Sequence, residues 1–157
     1  MAEGVTEQNK AIMRRMLEAF NTGDTSVVRE LLHPHLKSRS VGLGLERAVR
    51  QSDSMRKVEI QITRDKEVFP DRYFKEELLV AEGDRVVLHW SMTGTNTGPI
   101  LGRPPTGKKV HWTGTEFVRI VDGKIIEHDD DHSHVFDLLW QLGLLTADVL
   151  NQSEFQL

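Results

Sequence analysis

There is no cysteine among the 157 residues, which excludes disulfides, thiolate metal sites, iron–sulfur clusters and a cysteine nucleophile. Basic residues never cluster: 20 Lys and Arg are scattered against 24 Asp and Glu, for a net charge of -4 and a pI near 6.0. A nucleic-acid partner is therefore not expected. No apolar run approaches membrane-spanning length, and Met1 to Glu7 have neither a basic nor an apolar signal region, so a cytoplasmic protein with no membrane partner is expected. Internal repeats and low-complexity tracts are missing too. What is present suits one domain, residues 1–157, with a single core large enough to hold a cavity.

From Thr6 to Asn21 the residues Ile12, Met13, Met16, Leu17 and Phe20 recur at three- and four-residue spacing and predict an amphipathic helix ending at Asn21-Thr22-Gly23. Asp24 or Thr25 can cap a second, shorter helix through Val27, Val28, Leu31 and Leu32, stopped by Pro34. A helix is expected to resume over Leu45 to Arg50. Beyond Lys57 the alternation of Val58, Ile60 and Ile62 with Glu59, Gln61 and Thr63 predicts a half-buried strand. Two further strands, Tyr73 to Val80 and Arg85 to Thr93, face each other across Glu82-Gly83-Asp84. The stretch from Gly94 to Lys109 reads as a loop. Val110 to Val121 and Lys124 to Asp131 form a last hairpin, because Asp122-Gly123 between β-branched residues favours a type I′ turn. A short helix, Val135 to Leu142, ends at Gly143. Helices followed by antiparallel strands give an α+β order, with the helices packed on a strongly curved antiparallel sheet that encloses a pocket.

The outgoing arm of that hairpin carries His128-Asp129-Asp130-Asp131-His132-Ser133, an unusual concentration of ionisable groups. Carboxylates held over an apolar cavity repel one another and lose solvation, so at least one becomes a usable acid or base near neutral pH; the same run would also serve as a solvated cap for the next helix. Pairing the strands from the turn without interruption sets Glu116 opposite Asp129 and puts Val110, Trp112, Gly114, Glu116, Val118, Ile120, Ile125, Glu127, Asp129 and Asp131 on the inner face. A β-bulge in the second arm would change which acids point inward. Trp90, Met92 and Trp112, closed by Met16 and Phe20, can wall a planar ligand. A metal set from His128, Asp129, Asp131, His132 and His134 is not expected, because strand neighbours point to opposite faces.

Phe20-Asn21-Thr22-Gly23-Asp24, Phe69-Pro70-Asp71, Glu82-Gly83-Asp84-Arg85-Val86-Val87, Pro105-Thr106-Gly107-Lys108, Asp122 to His128 and Gln141-Leu142-Gly143 occur in this order. Together they resemble the SnoaL-like polyketide cyclases, also called ester cyclases. The resemblance implies the cone-shaped α+β barrel of nuclear transport factor 2, ketosteroid isomerase and limonene epoxide hydrolase. It also implies a cofactor-independent reaction on a small hydrophobic polyketide in secondary metabolism, and a homodimer. The family's catalytic aspartate falls at Asp130 counted from the turn and at Asp131 counted back from Gln141-Leu142-Gly143. Its substrate-binding Gln and His fall at Gly114 and Glu116 and are replaced, while Asp129 makes the pocket more anionic.

The reading that follows is a base, Asp130 or Asp131, that forms an enolate for an intramolecular aldol closure, with a protonated Glu116 as hydrogen-bond donor. A carboxylate pair also suits epoxide opening, isomerisation or hydroxylation, and a binding or dimerisation module without catalysis is the remaining alternative.

Overall fold

The computed structural model describes residues 2–38, 54–131 and 135–145. Helix α1, Ala2–Thr22, buries Met13, Met16 and Ala19 on one face and ends where Gly23 turns the chain at φ 83°. The Gly23 amide donates to Ala19, closing the last turn. Asp24 accepts from the Ser26 amide at 2.8 Å and leads into the single turn of α2, Val28–Leu31.

Two elements depart from expectation. The second helix does not run to Pro34: Leu32–Ser38 form strand β1, which carries Pro34 exposed on the sheet edge, where a missing N–H costs no ladder bond. Likewise the strand expected beyond Lys57 is a helix, α3, Ser54–Val68, that buries Val58, Ile62 and Val68. Residues four apart share a face in both a strand and a helix, so Val58 and Ile62 satisfied either period, and the fifteen-residue element settles as the helix its length favours. The helix expected over Leu45 to Arg50 lies outside the described residues.

Strands β2, Tyr73–Glu82, and β3, Arg85–Thr95, form the expected antiparallel hairpin; β4, Lys109–Val121, and β5, Lys124–Asp131, form the second. The sheet order is β1-β5-β4-β3-β2, and because β1 runs parallel to β5 the sheet is mixed rather than wholly antiparallel. Its inner face presents Val86, Leu88, Trp90 and Met92 of β3 with Val110, Trp112, Val118 and Ile120 of β4, all buried together with the α1 residues. Bulges in β2 and β5 bend the strands, and the open, curved sheet with its helices forms the expected cone. Helix α4, Val135–Leu142, buries Leu138 and Leu142 and ends at Gly143 with φ 75°. Gln141 clasps the backbone of His111 in both directions, at 3.0 and 2.7 Å. Among the described residues no helix is long and apolar enough to cross a membrane.

The loop from β3 to β4 is pinned from within. Asn96, fully buried, accepts from the amide and hydroxyl of Thr106 and donates to the Gly98 carbonyl. The amides of Thr97 and Gly98 donate to Val68 at the end of α3. A Cβ on Gly98 would lie 2.1 Å from the Glu67 carbonyl oxygen, a backbone atom with no rotamer to yield. Gly98→Ala is therefore expected to lower stability by about 3 kcal/mol, the upper range for overpacking, read from urea denaturation; an unchanged midpoint would contradict this docking of loop on helix.

Candidate active site

At the β4–β5 turn, Asp122 and Gly123 both adopt positive φ, 50° and 75°, as a type I′ turn requires. Val121 pairs with Lys124 and Ile120 with Ile125, but Arg119 then pairs with Glu127, leaving Ile126 as an extra residue. This bulge reverses the alternation of everything beyond it. His128 comes opposite Val118 and Asp130 opposite Glu116 on the inner face, whereas Asp129 lies opposite Phe117 and Asp131 opposite Thr115 on the outer face. The uninterrupted pairing is corrected by one residue: Glu116 meets Asp130 rather than Asp129, Asp131 is exposed, and Asp129 stands away from the pocket. Glu127 also faces outward, accepting from Arg85 at 2.9 Å and from Arg119 at 3.4 Å.

Three ionisable side chains thus converge inside the cone. Nε2 of His128 lies 2.6 Å from Oδ1 of Asp130 and is hydrogen-bonded to Oε2 of Glu116. The other Glu116 oxygen accepts from Nε1 of Trp90 at 3.2 Å. Side-chain exposure is 5% for Asp130, 14% for His128 and 22% for Glu116, so water screens this cluster poorly. Burial raises the pKa of Glu116 above 4.5, and the neighbouring Asp130 charge raises it further. Burial opposes charge on His128, but the pull of Glu116 and Asp130 outweighs it and lifts the imidazole well above 6.5.

Two cavities meet at this cluster. One, about 440 Å³ with its mouth included, is lined by apolar side chains, Met13, Met16, Phe20, Leu32, Val58 and Leu88 among them, together with Glu116 and His128. The other, about 410 Å³, is lined by Leu17, Phe20, Gln61, Asp65, Phe74, Trp90, Trp112, Glu116 and Asp130. Both figures count open solvent at the mouths; the space enclosed in each is about 40 Å³. Of the residues expected to wall the ligand, Met16, Phe20, Trp90 and Trp112 line one or both, while Met92 is 1% exposed and lines neither. Gln61 and Asp65 escaped notice because α3 had read as a strand; their four-residue spacing was the signal available.

The aromatic wall is continuous. Phe20, Phe74, Trp90 and Trp112 stack edge to face at centroid distances of 5.8, 5.0 and 5.5 Å. Trp90 lies across Gly114, where a Cβ would come within 2.3 Å of its ring. Arg72, also unforeseen, is buried behind this wall and donates to the carbonyls of Phe20 and Ile62, tying the end of α1 to α3. Nε1 of Trp112 is buried with no hydrogen-bond partner among the described residues, an arrangement that costs about 1–3 kcal/mol until something accepts from it.

One nitrogen of His128 and one oxygen each of Glu116 and Asp130 lie within 4.8 Å of one another, a donor set that could also embrace a divalent ion. Of the other ligands weighed from sequence, Asp129 and Asp131 face away, and His132 and His134 lie outside the described residues.

A sequence model of the SnoaL-like polyketide cyclases matches residues 10–142. The chain belongs to this family. The aklanonic acid methyl ester cyclase DnrD of Streptomyces peucetius is 32% identical over 123 residues, which span 76% of this chain and 80% of that protein. The nogalonic acid methyl ester cyclase of Streptomyces nogalater is 29% identical over 117 residues, covering 73% and 83%. Among solved structures, TsrD from Streptomyces laurentii superposes with a TM-score of 0.76 at 27% identity, covering 88% of this chain and 97% of that one. AclR from Streptomyces galilaeus, described as a candidate hydroxylase, gives 0.72 at 31% identity with 95% of each chain covered.

Glu116 and His128 both bind a proton more tightly folded than unfolded. The folded state is favoured while they hold protons and loses that advantage as pH rises past 4.5 for Glu116 and 6.5 for His128 toward their raised folded values. Glu116→Gln removes the first contribution and weakens the second. Its denaturation midpoint should accordingly fall less than the parent's as pH rises above 4.5 and then above 6.5, and an equally steep fall would argue against the buried cluster.

Proposed function

We propose that this polyketide cyclase closes a ring by intramolecular aldol addition, with Asp130 as the base, Glu116 as a hydrogen-bond donor and His128 as the proton carrier from Asp130 to the new alkoxide. The observation that carries the reading is the convergence of Glu116, His128 and Asp130 where the two cavities meet. The Asp130 carboxylate takes a proton from the carbon next to a carbonyl, and the resulting enolate attacks a second carbonyl. Protonated Glu116 donates to the oxygen on which negative charge then develops. That alkoxide takes the Nε2 proton of His128, and Asp130 returns its own proton to Nε2, restoring the site. The step requires acid, base and a folded substrate. The cyclases named above act on methyl esters of aklanonic and nogalonic acids, and the apolar and aromatic linings favour an apolar ester of this kind.

Asp130→Asn is expected to lower kcat by about 10³-fold, since loss of a general base removes about 10²–10⁴. Glu116→Gln keeps a donor and should stay within about tenfold of the parent. Both are measured by turnover of aklanonic acid methyl ester, and a collapse in Glu116→Gln would reassign Glu116 to proton transfer.

A homodimer through the outer sheet face is part of the proposal. Val80, Val87 and Phe117 form one cross-strand row there, with Leu78 beside it and Tyr73 at the far end of the same strand, and Tyr73, Leu78, Val80 and Phe117 are between 46% and 59% exposed. Phe117→Glu would set a carboxylate in this row beside Asp129 and should convert a dimer to a monomer in sedimentation; a parent that already sediments as a monomer would refute it.

A further inference from the structure

We propose that the indole N–H of Trp112 binds the oxygen of the enolising carbonyl, making Trp112 a catalytic residue as well as part of the aromatic wall. Trp112 is 8% exposed, and its Nε1 has no acceptor among the described residues. Trp90, the neighbouring indole 5.5 Å away, differs in that its Nε1 is committed to Glu116. Trp112 lines the same cavity as Asp130 and Glu116, on the same face of β4 as Glu116 and four residues before it. The same cavity is lined by the carboxylates of Glu116 and Asp130, and a carbonyl with an acidic neighbouring hydrogen presents the complementary pair: an oxygen to accept from Trp112 and a proton for Asp130.

The bookkeeping of the step is unchanged by this assignment. When Asp130 takes the proton, the C–H electron pair moves into the enolate and negative charge collects on the carbonyl oxygen, where the neutral indole donor stabilises it without giving up its proton. Protonated Glu116 serves the second carbonyl, whose oxygen becomes the alkoxide. The two carbonyls of an intramolecular aldol thus meet two separate donors. Nothing at Gly114 supplies one, because the Trp90 ring occupies the space a side chain would take. This inference rests on the cyclase reading for its kinetics, though not for its binding.

The test replaces Trp112 by benzothienylalanine, which keeps the bicyclic shape and puts sulfur where the N–H was; Trp112→Phe serves as the second variant. Turnover of aklanonic acid methyl ester should fall about 10²- to 10³-fold in kcat, as for loss of one oxyanion donor, with KM little changed. Alizarin, whose phenol changes colour on ionising, is titrated bound to parent and variants. A donor at Nε1 favours the bound phenolate, so alizarin should ionise at higher pH on both variants than on the parent, whereas a merely packed indole would leave its titration unmoved. Identical titrations, or failure of alizarin to bind the parent, overturn the assignment. If the parent turns nothing over while the titration shift persists, the cyclase reading fails and the Trp112 site stands.

Discussion

The extra residue at Ile126 shifts the register of β4 against β5 by one, and which β5 side chains meet Glu116 inside the cone follows from that shift. Side chains alternate along a strand, so a one-residue slip exchanges the whole inner set for the outer set. Without the bulge, Glu127, Asp129 and Asp131 would face the cavity and His128 would face solvent. With it, the imidazole and the one aspartate directly across from Glu116 turn inward, and Glu127 is released to the outer surface, where Arg85 and Arg119 satisfy it.

Once inside, the three groups hold one another. A buried carboxylate or imidazolium alone would be expelled or neutralised, but His128 placed between Glu116 and Asp130 supplies positive charge where two acids meet. Burial then acts on the set rather than on each member: it favours a proton on Glu116, while the acids keep the proton on His128. The apolar cavity on one side and the aromatic one on the other keep this exchange away from bulk water, which is the condition for acid–base chemistry on a hydrophobic substrate.

The aromatic side depends on two backbone arrangements rather than on aromatic residues alone. Gly114 leaves room for Trp90 to lie flat across β4 and reach Glu116, so the residue that looks like a missing donor is what allows another donor in. Arg72 binds one carbonyl near the end of α1 and one midway along α3, and so holds Phe20 in register with Phe74. These are positioning roles, and neither involves contact with the reacting atoms.

The α+β order, the amphipathic first helix, the two hairpins, the inner face of β3 and β4 and the closing helix at Gly143 were all legible from residue spacing, because periodicity and turn chemistry act within a few residues of one another. Glu116 emerged from strand pairing, and Asp130 remained one of two candidates. Two elements were misread where local signals coincide: Val58 and Ile62 fit strand and helix equally, and Pro34 hid a strand that only its edge position tolerates. The bulge at Ile126 left no mark in the Ile125-Ile126-Glu127 run, since either isoleucine can sit opposite Ile120. Composition and spacing thus determined which ionisable groups this chain gathers on its last hairpin. Which imidazole and which carboxylates meet was decided by the register, a property of two strands packed against helices distant in sequence.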